Sequence, residues 1–324
     1  SKNELIKSIL SIKSERADNL KLNIKKEFSN LVLYDLINIF ELLIPPKDRK
    51  LNGAFFTPKI ITEFITSNTI KSQDEKICDP SCGCGAFLVE TAKCINVKYK
   101  KSIIDIIENN IYGVDLASYS IDRAKILLTL LALQKDEDKK NINFNIYVTN
   151  SLKSDWSKIF PNVVRQGGFD VVIGNPPYVK FQDLDIEIRK DLYKDWMTLK
   201  SGTYNLYFAF FELGIKILNV QGVLAYITPN NYFTSLAGVD LRKYLESNRL
   251  IDRIVDFNHL KVFSAQTYTC ITFLKKEKRE QFLYERIDDY KNLNNLKNIK
   301  YSMINYSDLN NKKWRLLKET DRVN

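Results

Sequence analysis

Histidine is nearly absent from this chain, and long apolar runs are missing altogether. The 324 residues include one histidine, five cysteines and two methionines. No apolar stretch approaches the roughly 20 residues that cross a bilayer, which excludes a helical membrane protein. The opening residues, SKNELIKSILSIKSE, lack the charged, then apolar, then small-residue order of a signal peptide, so a cytoplasmic protein is expected. Cys78, Cys82, Cys84, Cys94 and Cys270 are odd in number, which points to reduced thiols rather than a disulfide framework. Cys82 and Cys84 are separated by a single residue and the lone His259 is distant. That is not the paired Cys-x2-4-Cys pattern of structural zinc, and no metal is expected. Nor is there an internal repeat, or a nuclease-like set of carboxylates and lysine within residues 1–50.

What remains is a globular composition, 44% hydrophobic and 27% charged. The length suffices for one large α/β domain with appendages, or for two ordinary domains. The net charge of +10 suggests a polyanionic partner, but its distribution matters more than its sum. Residues 1–50 carry 10 basic and 7 acidic side chains and residues 275–324 carry 13 and 8, against 26 and 24 in between. The excess therefore lies mainly in the flanks, where it is equally readable as solvated surface.

Apolar residues recur at helical spacing over 4–44, including Leu5, Ile6, Leu10, Leu20, Leu22 and the run LVLYDLINIFELLI, which Pro45-Pro46 ends. This predicts a helical N-terminal extension over 1–46. From residue 77 short apolar runs alternate with amphipathic stretches: KICDP, IYGVDL, FNIYVTN, FDVVIGNP, GVLAYITP, LIDRIVDF and TCITFLKK. Alternating strands and helices predict a doubly wound, mostly parallel sheet. In such sheets ligands bind beyond the carboxyl ends of the strands. Asp79, Asp115, Asn150 and Asn175 fall at four successive strand ends. After about 276 the chain becomes rich in Asn and Lys, with a poor core pattern.

Three segments carry chemistry. Asp79-Pro80-Ser81-Cys82-Gly83-Cys84-Gly85-Ala86-Phe87 runs from a strand end into a helix, where glycines let backbone approach a ligand and the helix offers unpaired N–H donors. The third glycine of the pyrophosphate fingerprint is lacking and an acidic residue precedes the turn, which suits an ammonium better than phosphates. Asp115, at the next strand tip, is placed to accept from ribose hydroxyls, although a lone Asp there also caps a helix. Asn175-Pro176-Pro177-Tyr178 is the strongest segment. Two prolines fix the backbone and remove two donors, so carbonyls and the Asn side chain present acceptors. An exocyclic amine is a poor nucleophile because its lone pair is delocalised into its ring. Accepting its two N–H groups, on the Asn175 side-chain oxygen and the Pro176 carbonyl, localises that pair, and Tyr178 offers a face for stacking.

Together these segments resemble the γ group of DNA amino-methyltransferases, the TaqI-like arrangement shared by Eco57I-type restriction–modification enzymes. The resemblance covers about residues 50 to 276. It implies a class I methyltransferase fold with a seven-stranded sheet, one strand antiparallel near the edge, and S-adenosylmethionine as cofactor. By the resemblance, Phe56, Thr57 and Pro58 fold over the methionine part of the cofactor. Asp79 lies near its ammonium, with Pro80, Ser81, Gly83, Gly85 and Phe87 continuing that motif. Asp115 binds its ribose, Asn150 stands where the family often has Asp on the adenine amino group, and Phe210 packs on the adenine. Asn175, Pro176, Pro177 and Tyr178 hold the target base, and Phe263 packs on its other side, although a core phenylalanine before a strand fits the same position.

The implied activity is transfer of a methyl group to N6 of an adenine flipped out of double-stranded DNA, within a restriction–modification or related defence system. The catalytic domain then spans 47–285. Residues 286–324 are expected to be a linker or the start of a DNA-recognition domain, which continues beyond residue 324 or is replaced by a specificity subunit. Glutamine methylation of translation factors and RNA adenine methylation share the Asn-Pro-Pro-Tyr segment. Against the glutamine reading stand Phe56-Thr57-Pro58, the aromatic stretch 204–211 and the Phe263 segment. Cytosine N4 methylation poses the same amine problem, but such enzymes more often have Ser in place of Asn175. A non-catalytic DNA-positioning module has no need of the rigid acceptor set.

Overall fold

The structure is a computed structural model that describes residues 1–12, 32–44, 57–201, 203–263, 267–289, 296, 299–310 and 312–318. Nine strands form one mixed sheet: β1 (Ile77–Asp79), β2 (Ile111–Asp115), β3 (Asn145–Val148), β4 (Phe169–Gly174), β5 (Leu218–Pro229), β6 (Ile251–Asp256), β7 (Thr269–Lys275), β8 (Gln281–Arg286) and β9 (Ser302–Asn305). Their order is β3-β2-β1-β4-β5-β7-β6-β8-β9. The first five in space run parallel, β7 lies antiparallel between β5 and β6, and β8 returns parallel to β6 with β9 antiparallel at the edge.

The doubly wound α/β class is as expected, but the strand count is not. Seven strands, the antiparallel one included, come from the seven runs recognised in the sequence. The two extra strands come from the Asn- and Lys-rich tail. QFLYER alternates with period two, and its Phe282 and Tyr284 are buried while β8 covers the β6 edge that would otherwise be open. The expected domain limit at 285 falls inside β8. Beyond it β9 pairs with β8, and Trp314 and Leu316 are buried against the same sheet.

Near-continuous apolar strands demand cover on both faces. Alternate residues of β4 and β5 divide between two cores: Val172, Leu224 and Tyr226 face one, Val171, Ile173, Ala225 and Ile227 the other. Eleven helices are described, numbered in chain order. On the second face lie α3 (Lys59–Thr69), α4 (Ala86–Tyr99), α5 (Ile103–Asn109) and α6 (Ser118–Leu133). The short α7 (Trp156–Ile159) and α8 (Pro161–Arg165) belong to the first face, as do α9 (Ile186–Asp195), α10 (Tyr207–Ile217) and α11 (Val239–Ser247). The N-terminal extension supplies α1 (Glu4–Leu10) and α2 (Leu33–Leu42), whose Leu33 and Ile37 join the second core. Leu20 and Leu22 lie outside the described residues.

The five cysteines are free thiols. Among the described residues no helix is long and apolar enough to cross a membrane.

Candidate functional site

Parallel β1, β2 and β4 end side by side, so their last residues converge. Asp79 closes β1, Asp115 closes β2, and Asn175 follows β4 directly. Gly85 lets the turn after β1 enter α4: its φ is +90°, and a β-carbon there would meet the Ala124 side chain at 2.9 Å. Gly174 is needed for a different reason. A β-carbon on it would stand 2.7 Å from Asp79 Oδ1, so only glycine lets the β4 tip approach that carboxylate.

These ends open onto a cavity of about 300 Å³. Its wall includes Thr57, Asp79, Pro80, Ser81, Gly83, Phe87, Asp115, Asn150, Phe210, Asn175 and Pro177. Eleven positions singled out from sequence are thus brought together. Pro58 sits beside the cavity as the residue preceding α3, and Gly85 serves the turn. Pro176 and Tyr178 flank the wall residues of their own segment. Phe263 is buried in the second core with Phe257 and Leu260 and does not line the cavity, the place that a core phenylalanine would take. Phe56 lies outside the described residues.

The wall is mainly acidic: Asp79, Asp115, Asp183 and Asp185 line it, beside Lys153. Asp79 is 1% exposed and accepts the Ser81 N–H at 3.0 Å. Burial pushes its carboxyl up to about 8; the Ser81 N–H pulls it down, and the charge of Asp115 adds to the rise. Asp115 accepts N–H groups from Gly83 and Ala117, each at 2.9 Å, yet burial still raises it. Asn150 uses Oδ1 to accept the Leu152 N–H at 3.0 Å, which leaves a second lone pair on that oxygen.

Asn175 is held at both ends of its amide. Nδ2 donates to Thr57 Oγ1 at 3.1 Å, and Oδ1 accepts the Tyr178 hydroxyl at 2.5 Å. That hydroxyl also lies 3.1 Å from the Ile227 carbonyl of β5, and the Tyr178 ring meets Tyr207 edge to face at 6.0 Å. Burial lifts the Tyr178 phenol well above its ordinary value, so it stays a donor.

Residues 109–263 match the family model described as Eco57I restriction-modification methylase. The chain carries an Eco57I restriction-modification methylase domain. It is similar to the Type II restriction enzyme and methyltransferase RM.Eco57I of Escherichia coli, 29% identical over 76% of this chain and 30% of that protein. The methylase domain shares its fold with a DrdV–DNA complex solved by cryo-EM, with a TM-score of 0.71 and 16% identity over 95% of this chain and 37% of that one. A putative class I S-adenosylmethionine-dependent methyltransferase from Listeria monocytogenes matches with a TM-score of 0.62 and 17% identity, over 90% of this chain and 86% of that one. The chain spans less than half the length of the first curated relatives it matches.

For such a methylase domain the cofactor is S-adenosylmethionine. The residues present fit it. A wall holding Asp79 and Asp115, both raised by burial, suits a ligand bearing sulfonium and ammonium charges. Sequence reasoning missed Glu41, at the end of α2, which lines the same cavity. It lies 38 positions ahead of Asp79, in a helix whose apolar spacing announced packing alone, and no local motif marks it. Also unannounced was α9, whose Ile188 and Leu192 close another side of the cavity.

Proposed function

We propose that this chain is the methyl-transferring part of a DNA methyltransferase that modifies N6 of adenine in double-stranded DNA, within a restriction–modification system. The observation that carries the reading is Asn175: a doubly anchored amide at the tip of β4, one strand away from the acidic cofactor wall at Asp79. Relatives named as restriction–modification methyltransferases and a DNA-bound neighbour of the same fold support it.

In the cofactor site, Asp79 would pair with the ammonium, Asp115 would accept from the ribose, and Asn150 and Phe210 would hold the adenine. S-adenosylmethionine, when bound, supplies an electrophilic methyl group on sulfur. The target adenine leaves the duplex, at a cost of roughly a few kcal/mol that stacking on the Tyr178 ring offsets in part. Asn175 Oδ1 and the Pro176 carbonyl accept the two N–H groups of its amine. Both acceptors draw the lone pair out of conjugation and stabilise the positive charge that grows on nitrogen as it attacks; the methyl–sulfur bond breaks as the methyl–nitrogen bond forms, and the methylated amine then releases one proton to solvent. No covalent enzyme intermediate is needed, and the tyrosine proton stays on its oxygen. Reading of the target sequence belongs to a recognition part outside this domain, and the domain alone is expected to hold DNA weakly and in a salt-sensitive way.

The test is transfer of labelled methyl groups to DNA from a host without adenine methylation, followed by nucleoside analysis, with this chain and with any longer natural form. N6-methyladenine is the expected product. Labelled N4-methylcytosine, RNA or protein glutamine in its place would overturn the reading.

A further inference from the structure

Glu41 faces the cofactor cavity from a helix outside the strand–helix unit that builds the rest of the wall. Its Oε1 lies 3.6 Å from where a β-carbon on Gly83 would stand. Asp115 Oδ2 accepts the N–H of that same glycine at 2.9 Å. Two carboxylates, from α2 and from β2, therefore flank one residue of the turn, and both line the cavity. Burial raises the Glu41 carboxyl; the Cys84 N–H lowers it, the charge of Asp115 raises it again, and Arg123 opposes the rise.

The end of α2 is held in place. Arg123 of α6 donates Nη1 to the carbonyl of Phe40 at 2.9 Å, and its guanidinium lies 5.0 Å from the centre of the Tyr119 ring. Glu41 is thus presented by a fixed backbone. Two acceptors side by side suit a ligand with two adjacent donors, and a vicinal diol is the simplest such group.

We propose that Glu41 is a second ribose-binding carboxylate, dividing the two vicinal hydroxyls of the cofactor with Asp115, so that the N-terminal helix is part of the cofactor site. The proposal rests on the cavity being an S-adenosylmethionine site. It makes cofactor binding and the docking of α2 mutually reinforcing, since the diol supplies donors between two like charges.

The test measures binding of S-adenosylhomocysteine and of its 2′-deoxy and 3′-deoxy analogues by calorimetry, for the native protein, Glu41→Ala and Glu41→Gln. Glu41→Ala is expected to weaken the parent compound about tenfold, the worth of one hydrogen bond to a charged group. Glu41→Gln, which keeps an acceptor, is expected to fall between. For one of the two deoxy analogues, the native protein and both variants should bind alike within about twofold. An equal loss on all three compounds would mean that Glu41 acts only through the Cys84 turn, and no loss on any would remove it from the site; either overturns the proposal. Thermal unfolding without ligand checks the fold, and if the Ala variant unfolds, the Gln variant carries the comparison. Failure of the native protein to bind the parent compound would instead overturn the cofactor reading on which the proposal rests.

Discussion

The hydroxyl of Tyr178 donates to the side-chain oxygen of Asn175 at 2.5 Å, so the ring proposed for stacking also orients the amide proposed for catalysis. Tyr178→Phe keeps the ring and removes that donor. Its kcat is expected to fall about tenfold, with cofactor affinity unchanged, because the lost bond bears on amide orientation rather than on the cofactor wall. Steady-state methylation alongside cofactor titration measures both. A weakened cofactor with normal turnover would contradict this assignment.

Cofactor binding should depend on pH through Asp79. Burial pushes the folded carboxyl up to about 8, well above the ordinary value of roughly 4. A raised acid holds its proton more tightly in the folded state. The stability from that proton is complete below the unfolded value and is lost as pH rises through the folded one. Affinity for a cationic ligand runs the other way, because only the ionised carboxylate pairs with it. The cofactor is expected to bind more tightly as pH rises, by up to roughly tenfold per unit, and to level off above about 8. Calorimetry across this range reads the slope. Asp79→Asn is expected to abolish both the slope and most of the affinity while raising the melting temperature of the ligand-free protein at pH about 8. A flat profile in the native protein would remove Asp79 from the ammonium site.

Trp314 ties the tail of the described chain to the domain. Its backbone N–H donates to the Phe233 carbonyl at 2.8 Å, its ring stacks on Phe233 at 6.4 Å, and it is 1% exposed. Arg242, fully buried, reaches the same segment through the Lys312 carbonyl at 2.6 Å. Trp314→Ala is expected to destabilise the protein by about 3–5 kcal/mol, read by urea unfolding as a single shifted transition. A change under about 1 kcal/mol would mean that the tail is independent of the sheet.

The seven strands from Ile77 to Lys275 were legible because each is a short apolar run between helical stretches, and Asp79, Asp115 and Asn175 could be placed at their ends by that pattern alone. The tail was not legible. Its two strands are short, and the sign of β8, the alternation of Phe282 and Tyr284, is brief and set among Lys, Glu and Asn. Within the site, motif spacing identified the residues that local turns hold, whereas contacts made by folding stayed hidden. Thr57 meets Asn175 across 118 positions, and Glu41 meets the Gly83 turn from a helix chosen for its apolar face. Phe263 shows the converse: an aromatic residue in a suggestive segment that the sheet takes into its core.

The most direct test compares the native protein, and any longer natural form of it, with the corresponding Asn175→Ala variant. Both are first shown by calorimetry to bind cofactor equally, then assayed for N6-methyladenine in DNA from an unmethylated host. Equal cofactor affinity and a loss of methyl transfer of at least about a hundredfold in the variant are expected. Equal transfer by the two proteins would contradict the role proposed for Asn175.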